Sequence, residues 1–151
     1  VEVKLCNDYA LVQKIILKTF SQKNESVNEK NIKSILFKIA NPANSFAFTA
    51  TLNNEVIAAT FCLYDNKTCY YLLGGYASEA KQHGAGALCV FNSILKAKEL
   101  GIPVFDFEGS MIKEVEKYFR SFGGELVPYY TVNKAKLPFE IILKFIKREL
   151  F

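Results

Sequence analysis

The sequence predicts an α/β (α+β) domain in which a mixed central sheet of about six strands carries helices on both faces. Three observations predict it. Strand-like segments "SFAFTATL", "EVIAATFCLY" and "KTCYYLLGGY" follow one another across short turns, which makes an antiparallel meander. A helical stripe and the short buried segment "IPVFDFEG" come next, which makes a strand–helix–strand crossover and so a parallel pair. Helical periodicity before the meander and after the crossover supplies layers for the two faces.

The elements follow in order. Val1 to Cys6 alternates as a short strand. From Tyr9 to Phe20, Leu11, Val12, Ile15, Ile16 and Phe20 share one helical face, with Asn7 or Asp8 as cap. Val27 and Ile32 bracket an Asn28 cap as a hydrophobic staple, Ile35, Leu36 and Ile39 continue the stripe, and Asn41-Pro42 stops it. Asn53-Asn54 and Asp65-Asn66-Lys67 turn the meander. Leu88, Phe91, Ile94 and Leu95 mark the crossover helix, which ends at Gly101. Ile112, Val115, Phe119 and Phe122 mark another helix, closed by Gly123-Gly124. "ELVPYYTV" reads as an edge or bulged strand, because Pro128 cannot donate, and Pro138 opens a last helix.

At 151 residues, half of them hydrophobic, the chain is long enough for one domain over 1–151 with its own core. No apolar run approaches a membrane span, and "VEVKLCNDYA" has no basic start or apolar signal region. The net charge of +4 comes from scattered lysines, which favours anionic ligands without forming a stripe for DNA. Cys6, Cys62, Cys69 and Cys89 lie inside apolar runs without a CxxC pair, as expected of reduced thiols in a cytoplasmic protein. With His83 as its lone histidine, the chain is expected to hold no metal.

The segment "KQHGAGA", residues 81–87, fills the corner between the third meander strand and the crossover helix. Backbone N–H groups at a helix start, with the positive end of its dipole, suit a pyrophosphate, and glycines there keep side chains out of the way. The plainer reading is a tight turn with small residues for packing, and spacing alone favours it.

The element order and this corner resemble the GNAT acyltransferase superfamily. Its acyl-CoA loop reads Arg/Gln-x-x-Gly-x-Gly/Ala, and Lys81, Gly84 and Gly86 match that pattern, with lysine in the first place. "YYLLGGYASEAKQHGAGALCVFNSILKAKELGI" and "FDFEGSMIKEVEKYFRSFGGELVPYY" are similar to the FemAB-like (BioF2-like) acetyltransferase domain, most strongly from Tyr70 to Tyr130. The resemblance implies strands 67–76 and 103–108 that run parallel and diverge, with helix 84–100 starting at the divergence. It implies a pyrophosphate on Lys81, Gln82, Gly84, Ala85, Gly86 and Ala87, and a pantetheine arm along Leu73 and Gly74.

For catalysis, Asp106 and Glu108 are expected on one face of their strand, with Phe105 and Phe107 on the other. Glu108 is the candidate general base, against a structural pairing of either carboxylate with a neighbour such as Arg120. GNAT enzymes often carry a tyrosine where this chain has Phe119, with Tyr118 turned elsewhere. Tyr129 and Tyr130 on the next strand are the candidate replacements, Tyr130 the one assigned, with core or cleft-wall packing the job of at least one. Ser110 reads as a loop cap, and Lys113, Lys117 and Arg120 as a solvated face.

The resemblance implies an N-acyltransferase that carries an acyl group from acetyl-CoA or another acyl-CoA to a small-molecule or peptide amine. A FemAB-type alternative uses aminoacyl-tRNA and a peptidoglycan precursor, with the chain as the C-terminal half of a longer tandem protein. A third reading is a non-catalytic GNAT-fold half, working as a homodimer or beside an intramolecular partner domain.

Overall fold

The computed structural model describes residues 1–22, 27–77, 84–110 and 112–128. Strand β1 (Glu2–Leu5) leads into helix α1 (Tyr9–Gln22), whose start is fixed by Asp8. The Asp8 Oδ1 accepts from the N–H groups of Ala10 and Leu11, both at 3.1 Å, which satisfies donors that a helix start leaves open. Asn28 caps α2 (Glu29–Ser34) in the same way, accepting from the Asn31 N–H at 3.2 Å. The stripe then continues through a π turn, Ile35–Ile39, before Asn41-Pro42 ends it.

The meander is β2 (Ser45–Leu52), β3 (Glu55–Tyr64) and β4 (Thr68–Tyr76), followed by α3 (Ala85–Glu99), β5 (Val104–Asp106) and α4 (Lys113–Arg120). The sheet order is β1-β2-β3-β4-β5. Each of the first four strands runs antiparallel to its neighbour, and β5 joins β4 parallel. Five strands are present among the described residues, because 125–128 of the sixth predicted strand are irregular and the rest lie outside. The predicted helix after Pro138 also lies outside.

One face of the sheet packs on α1 and the α2 region, with Val12, Ile16, Leu36 and Phe61 fully buried between them. The other face, with Phe46, Phe48, Cys62 and Cys69, packs on α3. Three of the four residues of the expected α3 stripe proved to lie on its outer face, with Ile94 half-buried. Leu88, Phe91 and Leu95 are 39%, 50% and 46% exposed, whereas Ala85, Cys89, Val90, Ser93 and Ala97 are buried. Small residues four apart bring the helix axis close to the sheet, and the sheet supplies the bulk. The contact is polar at one point, where Ser93 Oγ lies 2.9 Å from Thr60 Oγ1 and donates to the Cys89 carbonyl. All four cysteines are free and buried. No helix among the described residues is long and apolar enough to cross a membrane.

Candidate active site

The parallel ladder between β4 and β5 is short. It runs over Thr68↔Val104, Cys69↔Phe105 and Tyr70↔Asp106 and stops there, while β4 continues to Tyr76. The last six residues of β4 therefore have no β5 neighbour, and α3 begins beyond their far end. The ladder thus ends with β5 itself, at Asp106, and the β4 edge beyond it lies where the resemblance implies a divergence.

A β-bulge reorganises β4 at the same place. Phe61 of β3 pairs with Leu73 and Cys62 with Tyr71, so Leu72 is extra. An extra residue reverses the alternation of faces beyond it. Leu72 and Leu73 both pack into the α1-side core, while Tyr71 and Tyr76 pack on the α3 side. Leu73, expected along the pantetheine arm, thus turns its side chain away from α3 and the open edge. The backbone follows the same alternation. Tyr76 directs its N–H and carbonyl out of the ladder to Thr19 Oγ1, at 2.8 and 3.1 Å. Gly74, two residues earlier and beyond the bulge, shares that direction and points its N–H toward the open edge.

The two adjacent glycines serve different neighbours. A β-carbon on Gly75 would stand 2.8 Å from Ile16 Cα and 3.0 Å from the Ile15 carbonyl, so Gly75 lets α1 press against β4. A β-carbon on Gly74 would overlap the hydroxyl of Tyr71. That hydroxyl lies over Gly74 because the bulge has brought both residues to one face.

At the corner, Gly84 is the N-cap of α3, with φ +64° in the left-handed region and no side-chain cap bond. Leu88 is the first residue whose N–H closes onto the Gly84 carbonyl, at 2.9 Å. The N–H groups of Ala85, Gly86 and Ala87 precede that closure and form the open start of the helix. Ala85 is fully buried and serves the core. A β-carbon on Gly86 would meet nothing nearer than Tyr76 Cδ1 at 3.9 Å, so packing alone does not demand glycine there. Lys81, Gln82 and His83 lie outside the described residues, as do Tyr129 and Tyr130.

The acidic residues depart from expectation. Strand β5 ends at Asp106, so strand alternation does not extend to Glu108, which has φ +61°. Asp106 Oδ1 accepts from the Glu108 N–H at 2.7 Å and holds this left-handed turn. Asp106 is thus the structural carboxylate and Glu108 an exposed one. Partial burial and, second, the Asp106 charge raise the Glu108 carboxyl above its ordinary value. Arg120 pairs with Glu116 at 3.3 Å and with neither of them. Ser110 Oγ accepts from the Ile112 N–H at 3.1 Å, the cap that the sequence suggests.

Aromatic rings close the space between β5, α4 and β4. Phe119 stacks on Phe107 with centroids 4.9 Å apart, and Tyr71 meets Phe119 edge-on at 5.8 Å. Tyr118 is partly exposed and touches the rings of Phe119 and Phe122. Burial first, then Cys89 and Tyr76, push its phenol up to about 12. Tyr71 escaped the sequence reading because the run "YYLLGG" hides where the faces reverse.

A separate cavity of about 480 Å³ lies at the opposite end of the sheet, lined by Asn7, Tyr9, Asn41, Ser45, Tyr64 and Lys96 among others. It has no part in the divergence. Among the described residues no group of three or more His, Cys, Asp or Glu could hold a metal ion.

The Acetyltransferase (GNAT) domain family matches residues 40–120, more than half of the chain. No curated protein matches it in sequence. Among solved structures, an aminoglycoside acetyltransferase from an uncultured soil metagenomic sample, in complex with sisomicin, superposes with a TM-score of 0.62 at 17% identity, covering 88% of this chain and 96% of that one. A ribosomal-protein-alanine N-acetyltransferase from Brucella melitensis biovar Abortus 2308 gives 0.63 at 10% identity, covering 90% and 100%. Aminoglycoside N-acetyltransferase AAC(6')-Iy, in complex with CoA, gives 0.64 at 10% identity, covering 90% and 94%. At such identities the likeness is one of fold.

Proposed function

This chain belongs to the acetyltransferase (GNAT) family and is a transferase, and from that premise we propose that it moves an acetyl or other acyl group from acyl-CoA to an amine by direct attack. The acceptor is a small molecule or a peptide, the chain works as one domain, and the reaction takes place in the cytoplasm. The observation that carries this reading is the β4 edge beyond Tyr70, where the ladder ends, the bulge intervenes and Gly74 faces outward.

The residues present fit an acyl-CoA. A strand edge with no ladder partner among the described residues can hydrogen-bond the amides of a pantetheine arm, and the start of α3, beside Gly84 and Gly86, suits its phosphates. When bound, acyl-CoA supplies the acyl group as a thioester. The Gly74 N–H is the donor toward the thioester oxygen, and one such donor is typically worth roughly 3 kcal/mol of barrier. An amine arrives mostly as ammonium at neutral pH, and Glu108 takes its proton directly or through water. A base of this kind contributes roughly 100- to 10,000-fold.

The FemAB-like block from Tyr70 to Tyr130 supports aminoacyl-tRNA as a second donor class. Thermal shift and turnover with a panel of acyl-CoAs and aminoacyl-tRNAs test the proposal. Stabilisation and turnover with an acyl-CoA are expected. Stabilisation by aminoacyl-tRNA alone would move the chain to the FemAB-type reaction, and binding without turnover would make it a binding half.

A further inference from the structure

We propose that Tyr71 is the group that protonates the departing thiolate in this enzyme. The inference rests on the acyl-CoA reading above. Every thioester acyl transfer ends with sulfur carrying an electron pair, and a dry cleft makes that charge costly. Phe119 on α4 has no proton to give, and it is stacked on Phe107. The nearest hydroxyl to the outward-facing Gly74 is that of Tyr71, which occupies the volume where a β-carbon on residue 74 would stand.

The bulge at Leu72 makes this possible. In an unbroken strand Tyr71 would share a face with Leu73 and Gly75, and its ring would lie away from Gly74. With Leu72 extra, Tyr71 and Gly74 share the α3-side face. Tyr71 then runs along the strand, braced edge-on by Phe119 at 5.8 Å and by Phe107 at 6.5 Å. One device therefore sets the Tyr71 hydroxyl beside Gly74, whose N–H points toward the strand edge. No described residue hydrogen-bonds that hydroxyl, although its ring is well packed.

The surroundings keep the proton in place until sulfur needs it. The titratable groups that face Tyr71 are Tyr118 on α4, Cys62 on β3 and Cys89 on α3. Burial, and then these three, hold its phenol well above the ordinary value of 10. Burial likewise lifts the Cys89 thiol to about 12, the ordinary response of a thiol kept from water. A sulfur anion released here is a far stronger base than one released into water. In the balanced step the nitrogen–carbon bond forms and the carbon–sulfur bond breaks. The ammonium proton leaves toward Glu108, and the Tyr71 proton goes to the sulfur with its electron pair. The second proton that the nitrogen loses as the amide forms then returns to the phenolate through water.

Tyr71→Phe removes only the hydroxyl and keeps the ring that packs on Phe107 and Phe119, so the variant should fold, with an unchanged melting profile as the check. Turnover should fall roughly 100-fold while CoA affinity holds. The second readout uses protein carrying carbon-13 at the tyrosine ζ position, with the Tyr71 signal identified by its absence in Tyr71→Phe. That signal should move on adding CoA and stay still on adding desulfo-CoA, which lacks the sulfur. Equal responses to the two, or full turnover in Tyr71→Phe, would overturn the proposal. If CoA binds but no amine is acylated, the transferase reading fails, while the difference between CoA and desulfo-CoA still decides the Tyr71 contact. If neither binds, both readings fall.

Discussion

Thr19 Oγ1 accepts a hydrogen bond from the backbone N–H of Tyr76 at 2.8 Å, so helix α1 holds the last residue of β4 after β5 has left it. The same oxygen lies 3.0 Å from the Ile15 carbonyl and 3.1 Å from the Tyr76 carbonyl, and Thr19 is buried. Backbone groups without a partner are costly to bury, and this contact satisfies those at the end of β4.

Thr19→Val preserves shape and leaves the Tyr76 N–H without its acceptor. Urea unfolding should show a loss of about 1–3 kcal/mol. The acyl-CoA affinity should fall as well, because the Gly74 edge is positioned by the same stretch. Unchanged stability would mean that Tyr76 finds another partner.

The adjacent glycines should separate in a simple experiment. Gly75→Ala drives a methyl group into the Ile16 Cα and Ile15 carbonyl of α1, and backbone cannot rotate aside. Its cost should be about 1–3 kcal/mol or more in unfolding free energy. Gly74→Ala meets only the end of a side chain, so the Tyr71 ring swings off and most of the stability remains. Turnover should then fall roughly as far as in Tyr71→Phe, although the phenol is still present. Equal destabilisation by the two substitutions would contradict the division of roles.

Gly86→Val tests the corner. The nearest atom to a new β-carbon is Tyr76 Cδ1 at 3.9 Å, so the helix start has room for a side chain. The variant should melt near the parent, yet calorimetry should detect no acyl-CoA binding, since the branched side chain occupies the space that the phosphates need. Undiminished affinity would reduce the corner to a turn between β4 and α3.

The meander and its turns were legible because β2 and β3 alternate or run apolar between Asn and Asp turn residues, and the first helices because Asp8 and Asn28 cap amphipathic stripes. The parallel neighbour of β4 was legible from the crossover. Three features were not. The bulge leaves no compositional mark in "YYLLGG", where the extra Leu72 is apolar like its neighbours, so Leu73 was put at the cleft and Tyr71 overlooked. The face of α3 was reversed because large residues usually mark the core, whereas here close approach of the helix puts Ala85, Cys89, Ser93 and Ala97 inward. Period-two alternation was extended past Asp106, although an aspartate that can hydrogen-bond the backbone two residues on favours a turn.

Glu108 supplies the last test. As a base it works ionised, and its pKa lies above the ordinary 4.5 because of partial burial and then Asp106. The acid limb of kcat/KM should therefore fall as the pH drops through a value higher than a free glutamate would give. Glu108→Gln should lower turnover roughly 100-fold or more near neutrality, with donor affinity intact. The deficit should shrink at high pH, where the acceptor amine loses its proton unaided. Asp106→Asn refines the test, because Asn keeps an oxygen for the Glu108 N–H and removes only the charge. Its acid limb should move to lower pH, since the second cause of the raised value is gone. If Glu108 merely shapes the turn, Glu108→Gln would keep the parental pH profile, and Asp106→Asn would leave the acid limb where it was.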